Sequence, residues 1–300
     1  MTSPRKNSNS STPKRITRAL ASAVVTAFLL ATGSASASDT LPLIVAHRGA
    51  SHDAPENTLA AFRLAWEHKA DVVECDVWLT ANQQIVCLHD KTVGRTTGQA
   101  KGTGPSVTAS TLEDLQALDV GAWKHERFRG ETIPRLADAL AIVPKHGRVF
   151  IEIKDSARII PHLARVIADA KLRPEQITVL SFDVRVIAAS KITMPDIAAH
   201  WLTGFKIDKQ TNTPTLSLDA VLATLALTGA DGLGARALPD HLNADFVTAL
   251  KASGYAVGVW TINDPNTARF YARLGVDAIT TDRPAWLRLQ LNAIANASQP

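Results

Sequence analysis

The chain has 300 residues, 46% of them hydrophobic and 20% charged, which excludes a disordered or fibrous polymer and suits one α/β barrel of about 250 residues. The formal charge of +4 points toward nucleic acid, but five of the 32 Lys and Arg stand in the first 37 residues, which hold no acid. The 27 remaining cations face 28 anions, so the body is near neutral and a DNA- or RNA-binding reading loses its main support.

The leading segment has a basic, Ser/Asn-rich start, an apolar stretch from Ala19 to Ala31, and Ala35-Ser36-Ala37 as an A-x-A cleavage site. The apolar run is too short to span a bilayer of roughly 30 Å. Residues 1–37 are therefore expected to be a secretory signal peptide, and 38–300 a single exported domain, periplasmic or extracellular. No Cys lies near the cleavage point to receive a lipid, and no later stretch is long and apolar enough for a membrane span.

Along the mature chain, Leu43 to Ala46 reads as a strand ending at His47. Pro55-Glu56-Asn57-Thr58 opens a helix whose Leu59, Phe62, Ala65 and Trp66 share a stripe. Asp71 to Leu79 alternates as a strand, and Ile85 to Leu88 is another, ending at His89. From about 91 to 130 comes an insertion, rich in Gly and Thr at first and then carrying a short helix around Leu112 to Leu118. Val149 to Ile153, Thr178 to Leu180, Ile197 to Ala199, Gly232-Leu233, Ala256 to Val259 and Ala278 to Thr280 continue the strands, with helices between them. A last helix starts at Pro284. Alternating β and α predicts a parallel sheet, and the number of repeats suits a TIM-type (β/α)8 barrel. Only twelve residues separate Asp76 from His89, too few for an ordinary crossover helix, so the barrel is expected to be irregular near its second and third strands. The insertion is placed on its C-terminal face.

Function in a parallel barrel sits at the C-terminal strand ends. There this chain puts His47-Arg48-Gly49, Glu74-Cys75-Asp76, His89-Asp90, Glu152-Ile153-Lys154, Ser181 and Trp260. Glu74 and Asp76, two apart on a strand, point to one face. Glu-x-Asp alone also fits surface acids on an antiparallel sheet. With Glu152 on an equivalent strand, however, three inward carboxylates call for a hard divalent cation, Ca²⁺ or Mg²⁺. His47 and His89 at two strand tips suit a general acid/base pair. Arg48 and Lys154 supply the positive charge a phosphate needs, and Trp260 suits a wall for a small alcohol. Together these groups fit phosphoryl-ester cleavage, and the chain lacks the Gly-x-Ser-x-Gly and His-Glu-x-x-His signatures of other hydrolases.

The two cysteines are expected to stay apart. If Glu74 and Asp76 face inward, Cys75 faces the helices; Cys87, two residues before an inward His89, faces the interior. Diverging side chains cannot form a disulfide, so both are expected to be buried free thiols.

His47-Arg48-Gly49, Pro55-Glu56-Asn57-Thr58, Glu74-x-Asp76, His89-Asp90, Arg95-Thr96-Thr97, Ile133-Pro134, Glu152-Ile153-Lys154, Ser181-Phe182-Asp183, Trp260-Thr261 and Thr281-Asp282-Arg283-Pro284 stand in this order. With them the chain resembles the glycerophosphodiester phosphodiesterases from Leu43 to about Leu287. The resemblance implies metal-dependent hydrolysis of glycerophosphodiesters to glycerol 3-phosphate and an alcohol. It makes His47 and His89 the acid/base pair, Glu74, Asp76 and Glu152 the ligands of one divalent cation, and Arg48 and Lys154 phosphate contacts. The implied partner is a small-molecule substrate. Two alternatives are a phospholipase D-type or phosphoinositide-specific lipase on a related barrel, and an exported phosphodiester-binding protein without turnover. A polar insertion with Lys101, Lys124, His125, Arg127 and Arg129 weighs against the lipase. Intact histidines at both strand tips weigh against the binding protein. Head group, choice of cation, the division of roles between the histidines, direct water attack or a cyclic phosphate, and oligomeric state are not specified by the sequence.

Overall fold

Nine strands lie in the order that the hydrophobic runs mark out. In this computed structural model, which describes Met1 and residues 41–297 apart from 209 and 212, they are β1 (Leu43–Ala46), β2 (Val72–Leu79), β3 (Ile85–Cys87), β4 (Arg148–Ile153) and β5 (Ile177–Ser181), followed by β6 (Ala198–Thr203), β7 (Gly232–Arg236), β8 (Ala256–Trp260) and β9 (Ala278–Thr281). All but β3 pair in parallel, β1 with β2, β2 with β4, and onward to β9, which returns to β1. The result is a closed eight-stranded TIM-type barrel. The proposed leader, residues 1–37, lies outside the described residues apart from Met1.

Helices α1 (Leu59–Glu67), α3 (Leu136–Ala141), α4 (Ile160–Asp169), α5 (Val184–Thr193), α6 (Leu218–Thr228), α7 (Ala244–Ala252), α8 (Pro265–Arg273) and α9 (Pro284–Ala297) wrap the outside, and α2 (Leu112–Gln116) lies in the insertion after β3. Outward strand residues such as Ile151, Val179, Val257 and Ile279 are fully buried against them. This layer between sheet and helices is the main hydrophobic core. Helix α1 begins four residues later than Pro55, at Leu59, because the Thr58 side chain accepts the Ala61 N–H as its N-cap. Glu56 and Asn57 are thereby left out of the helix, free to turn toward the barrel mouth. Among the described residues no helix is long and apolar enough to cross a membrane.

The irregularity expected near the second and third strands has a definite form. β3 runs antiparallel to β2 with Val77 opposite Cys87, so it is a hairpin arm that joins one edge of β2 and needs no crossover. Beyond it, residues 91–130 fold over the mouth around a separate apolar cluster of Val86, Leu88, Val93, Val107, Leu115 and Ile133. Lys124 Nζ donates to Ser51 O at 2.7 Å and Arg127 Nη2 to Asp53 O at 2.9 Å, so two of the insertion's cations dock it on the loop after β1.

The strand-face expectation holds for Cys75 and fails for Cys87. Cys75 and Val77 share a face, and Cys87 lies opposite Val77, so both thiols point the same way, into the layer under the helices. They are buried, free neighbours. The error lies after Cys87: the ladder stops there, and Leu88 N donates to Asp76 O at 2.9 Å. The chain turns before His89, which breaks the alternation that linked the two residues.

Candidate active site

The site is built at the C-terminal end of the barrel. β2 and β4 align Asp76 with Glu152 and Glu74 with Phe150, so Glu74, Asp76 and Glu152 project to one side. Each offers a carboxylate oxygen, and these oxygens lie within 4.8 Å of one another. All three residues are at most 9% exposed. Burial, with Asp76 and Glu152 beside it, pushes the Glu74 carboxyl well above its ordinary range, and burial next to Asp76 raises that of Glu152. Asp76 goes the other way: burial opposes its charge, yet Lys154 and Arg48 hold it down to about 2.

The buried donor set fits a hard divalent cation. Glu74 Oε1 has no hydrogen-bond partner, and Asp76 Oδ1 meets only the Lys154 ammonium, at 3.2 Å. Orphaned carboxylate oxygens converging in a buried site are costly without a cation. The triad can therefore hold a metal ion. Lys154 bridges Asp76 and Glu152 with its ammonium, and its charge is reinforced by them against burial.

The loop after β1 supplies the next layer. Arg48 has a positive φ of 55° and Gly49 one of 81°, and a Cβ on Gly49 would come within 2.6 Å of the Ala61 backbone. Only glycine permits this approach to α1. The tight turn aims the Arg48 N–H at Glu74 Oε2, 2.8 Å away. The guanidinium reaches Asp76 Oδ2 at 3.1 Å through Nε and Glu56 Oε1 at 2.8 Å through Nη1. Asn57 clasps Asp76 from both sides, donating Nδ2–H to Oδ2 at 2.9 Å and accepting the Asp76 N–H at 3.1 Å.

Both histidines line one cavity of about 160 Å³, together with Arg48, Glu74, Glu152, Lys154 and Trp260. Each imidazole is oriented by a carboxylate. His47 Nδ1 lies 2.6 Å from Asp282 Oδ1, and His89 Nδ1 lies 2.7 Å from Asp90 Oδ1. Two acceptors cannot meet at such distances, so Nδ1 carries the proton and Nε2 is the free nitrogen. Burial disfavours the Asp282 carboxylate, but the bond from His47 prevails and its pKa falls to about 2. In the same way Arg95 and His89 overcome burial to hold Asp90 at about 2. His89 itself is lowered by burial, against the pull of Asp76.

Asp282, Asp90, Glu56, Asn57 and Arg95 received no role in the sequence reading, although each stands inside a quoted motif. Arg95 donates to both Glu56 oxygens at 2.6 and 2.9 Å and to Asp90 Oδ2 at 2.7 Å. A single relay of alternating charge thus runs Asp76–Arg48–Glu56–Arg95–Asp90–His89. Trp260, at the end of β8, meets Phe182 edge to face at 5.6 Å and forms an apolar wall facing the charged half.

A barrel whose C-terminal mouth gathers two histidines, two cations and a carboxylate triad that could hold a metal ion has the make-up of a hydrolase of anionic esters. The chain belongs to the glycerophosphoryl diester phosphodiesterase family, whose model matches residues 47–286. A glycerophosphodiester phosphodiesterase from Caldanaerobacter subterraneus is 32% identical over 256 residues, 82% of this chain and 96% of that protein. Glycerophosphodiester phosphodiesterase 1 of Bos taurus is 31% identical over 259 residues, 79% of this chain and 76% of its own length. Among solved structures, an Oleispira antarctica phosphodiesterase in complex with the product sn-glycerol-3-phosphate superposes with a TM-score of 0.73 at 27% identity, covering 84% of this chain and 97% of the other.

Proposed function

We propose that this protein is an exported, divalent-metal-dependent hydrolase that cleaves glycerophosphodiesters to glycerol 3-phosphate and an alcohol. One observation carries the reading: two imidazoles, each held through Nδ1 by its own carboxylate, line the same small cavity as the three-carboxylate cluster. A binding protein has no use for two oriented proton carriers. The glycerol 3-phosphate held by the Oleispira phosphodiesterase supports the same product, and the basic, apolar leader supports export.

Glu74, Asp76 and Glu152 are the proposed ligands of one Ca²⁺ or Mg²⁺. Bound there, the ion supplies Lewis-acid neutralisation of charge on the phosphoryl oxygens. With three ionised carboxylates against Arg48 and Lys154 the cluster is one charge negative. A divalent ion makes it one positive, matched to a phosphodiester. Arg48 and Lys154 are assigned to hold the phosphate, and Trp260 to pack the apolar edge of the glycerol or the alcohol.

Proton transfer falls to His47 and His89. With Nδ1–H fixed, the Nε2 lone pair of one ring takes the proton of the attacking oxygen, and the imidazolium so formed is stabilised by its carboxylate. The other ring, protonated at Nε2, gives its proton to the departing alkoxide. Release of glycerol 3-phosphate from glycerophosphocholine, assayed with and without a chelator, tests the proposal. Tight binding of glycerophosphodiesters with no release of product would replace it with the binding-protein alternative.

A further inference from the structure

The interior of a TIM barrel is ordinarily filled by layers of Val, Ile and Leu. Here it is only partly filled: Val45, Val72, Phe150, Leu180 and Leu202 form an inner cluster, and a cavity remains beside it. On β8 the outward Val257 and Val259 are buried, whereas the inward Ala256 and Gly258 remain partly accessible. Gly234 on β7 and Ala278 on β9 add two more small residues to the same wall. The resulting cavity measures about 630 Å³, within the roughly 300–1,000 Å³ usual for small-molecule sites. It runs from Ala256 to Trp260, a depth of about 13 Å at roughly 3.3 Å per strand residue. At its upper end Leu180, Leu202, Trp260 and Thr280 line both this cavity and the catalytic pocket. Its lower mouth is ringed by Arg148, Glu175 and Asp196.

We propose that this hollow binds the alkyl chain of a single-chain amphiphile, inserted from the N-terminal face with its polar head among the mouth charges. The shape calls for such an occupant: an elongated, mainly apolar bore that abuts the catalytic pocket at one end and is charged at the other. Apolar walls of this extent that face only water or empty space forgo dispersion contacts that an apolar guest restores. The inference goes beyond the proposed hydrolysis and does not depend on it.

The experiment uses 1-decanol as probe and 1,10-decanediol as control, measured by calorimetry and by thermal melting. Decanol is expected to bind and to raise the melting temperature. The diol, which must bury a second hydroxyl against apolar walls, is expected to bind at least tenfold more weakly. Gly258→Leu puts a side chain into the bore; its Cβ meets nothing closer than 3.8 Å, and the variant is expected to weaken decanol binding at least tenfold. Unchanged circular dichroism and a cooperative melting transition of Gly258→Leu show that the barrel is folded, and Ala256→Val serves if that variant does not fold. Equal binding of decanol and the diol, or undiminished binding of decanol by the filled variant, overturns the proposal. Loss of hydrolysis in the wild type would count against the catalytic reading and leave this one intact.

Discussion

His47 and Asp282 stand 235 residues apart in sequence, yet His47 Nδ1 lies 2.6 Å from Asp282 Oδ1. The bond ties the tip of the first barrel strand to the tip of the last, across the seam where the barrel closes. Asp282 also accepts Ser51 Oγ at 3.0 Å and Asn263 Nδ2 at 2.6 Å, so the orienting carboxylate is itself fixed. Replacing it with Asn, which offers an amide in place of a charged acceptor, is expected to lower kcat by about 10- to 100-fold with KM little changed. A Asp282→Asn variant with full kcat would show that His47 needs no orientation.

Removing either ring is more severe. His47→Ala and His89→Ala are each expected to reduce turnover by roughly 10² to 10⁴, with circular dichroism unchanged. A variant that keeps its rate takes that histidine out of the chemistry.

Glu152→Gln removes one formal charge from the triad and is expected to weaken metal affinity, with activity recovered at excess Ca²⁺ or Mg²⁺. Because burial raises both Glu74 and Glu152, these carboxyls hold protons to higher pH than usual, and a cation must displace them. Affinity should therefore fall as pH falls, and calorimetry in buffers of different ionisation enthalpy should detect proton release on binding. An unchanged metal titration in Glu152→Gln removes that residue from the ligand set.

His200, on the wall of the barrel's lower cavity, has its pKa pushed by burial from 6.5 down to about 4. The unfolded chain binds the proton first, so this group's contribution to stability is complete above pH 6.5 and is lost as pH falls through about 4. Since water reaches the cavity wall, the effect should be on the order of 1–2 kcal/mol. Denaturant midpoints of His200→Gln should be flatter than wild type across that window. Parallel curves for the two proteins would contradict this.

Cys75 and Cys87 should be unreactive toward thiol reagents in the native protein and count as two free groups after denaturation without reductant. The hydrogen bond with the neighbouring Cys87 thiol, and then burial, keep Cys75 protonated well above the usual thiol range. Finding no free thiol in a monomer would mean the pair has oxidised.

These cysteines also mark the limit of what the sequence carries. Alternation places Glu74 and Asp76 together because both lie inside a continuous ladder, and their meeting with Glu152 follows from the parallel register. It fails between Cys87 and His89, where the ladder has ended and periodicity no longer constrains direction. Pro55-Glu56-Asn57-Thr58 reads as a helix start from Pro and Thr alone; that Glu56 and Asn57 turn inward depends on Arg48 and Asp76, contacts no local pattern encodes. The hollow bore was equally hidden, because Gly234, Gly258 and Ala278 read as indifferent strand residues until the opposite wall is in place.

The antiparallel arm β3 and the apolar cluster beneath the insertion give His89 a support separate from the barrel's closed ring of strands. His47, by contrast, is fixed at the seam of that ring. The two halves of the proposed proton-transfer pair are therefore expected to open locally at different free energies. Native-state hydrogen exchange should see the amides of Val86 and Val107 open at lower free energy than those of Ile44 or Val179. Substitutions under Leu115 or Ile133 would then change how often His89 is in place while global unfolding stays the same, so turnover and thermal stability can drift independently in this chain.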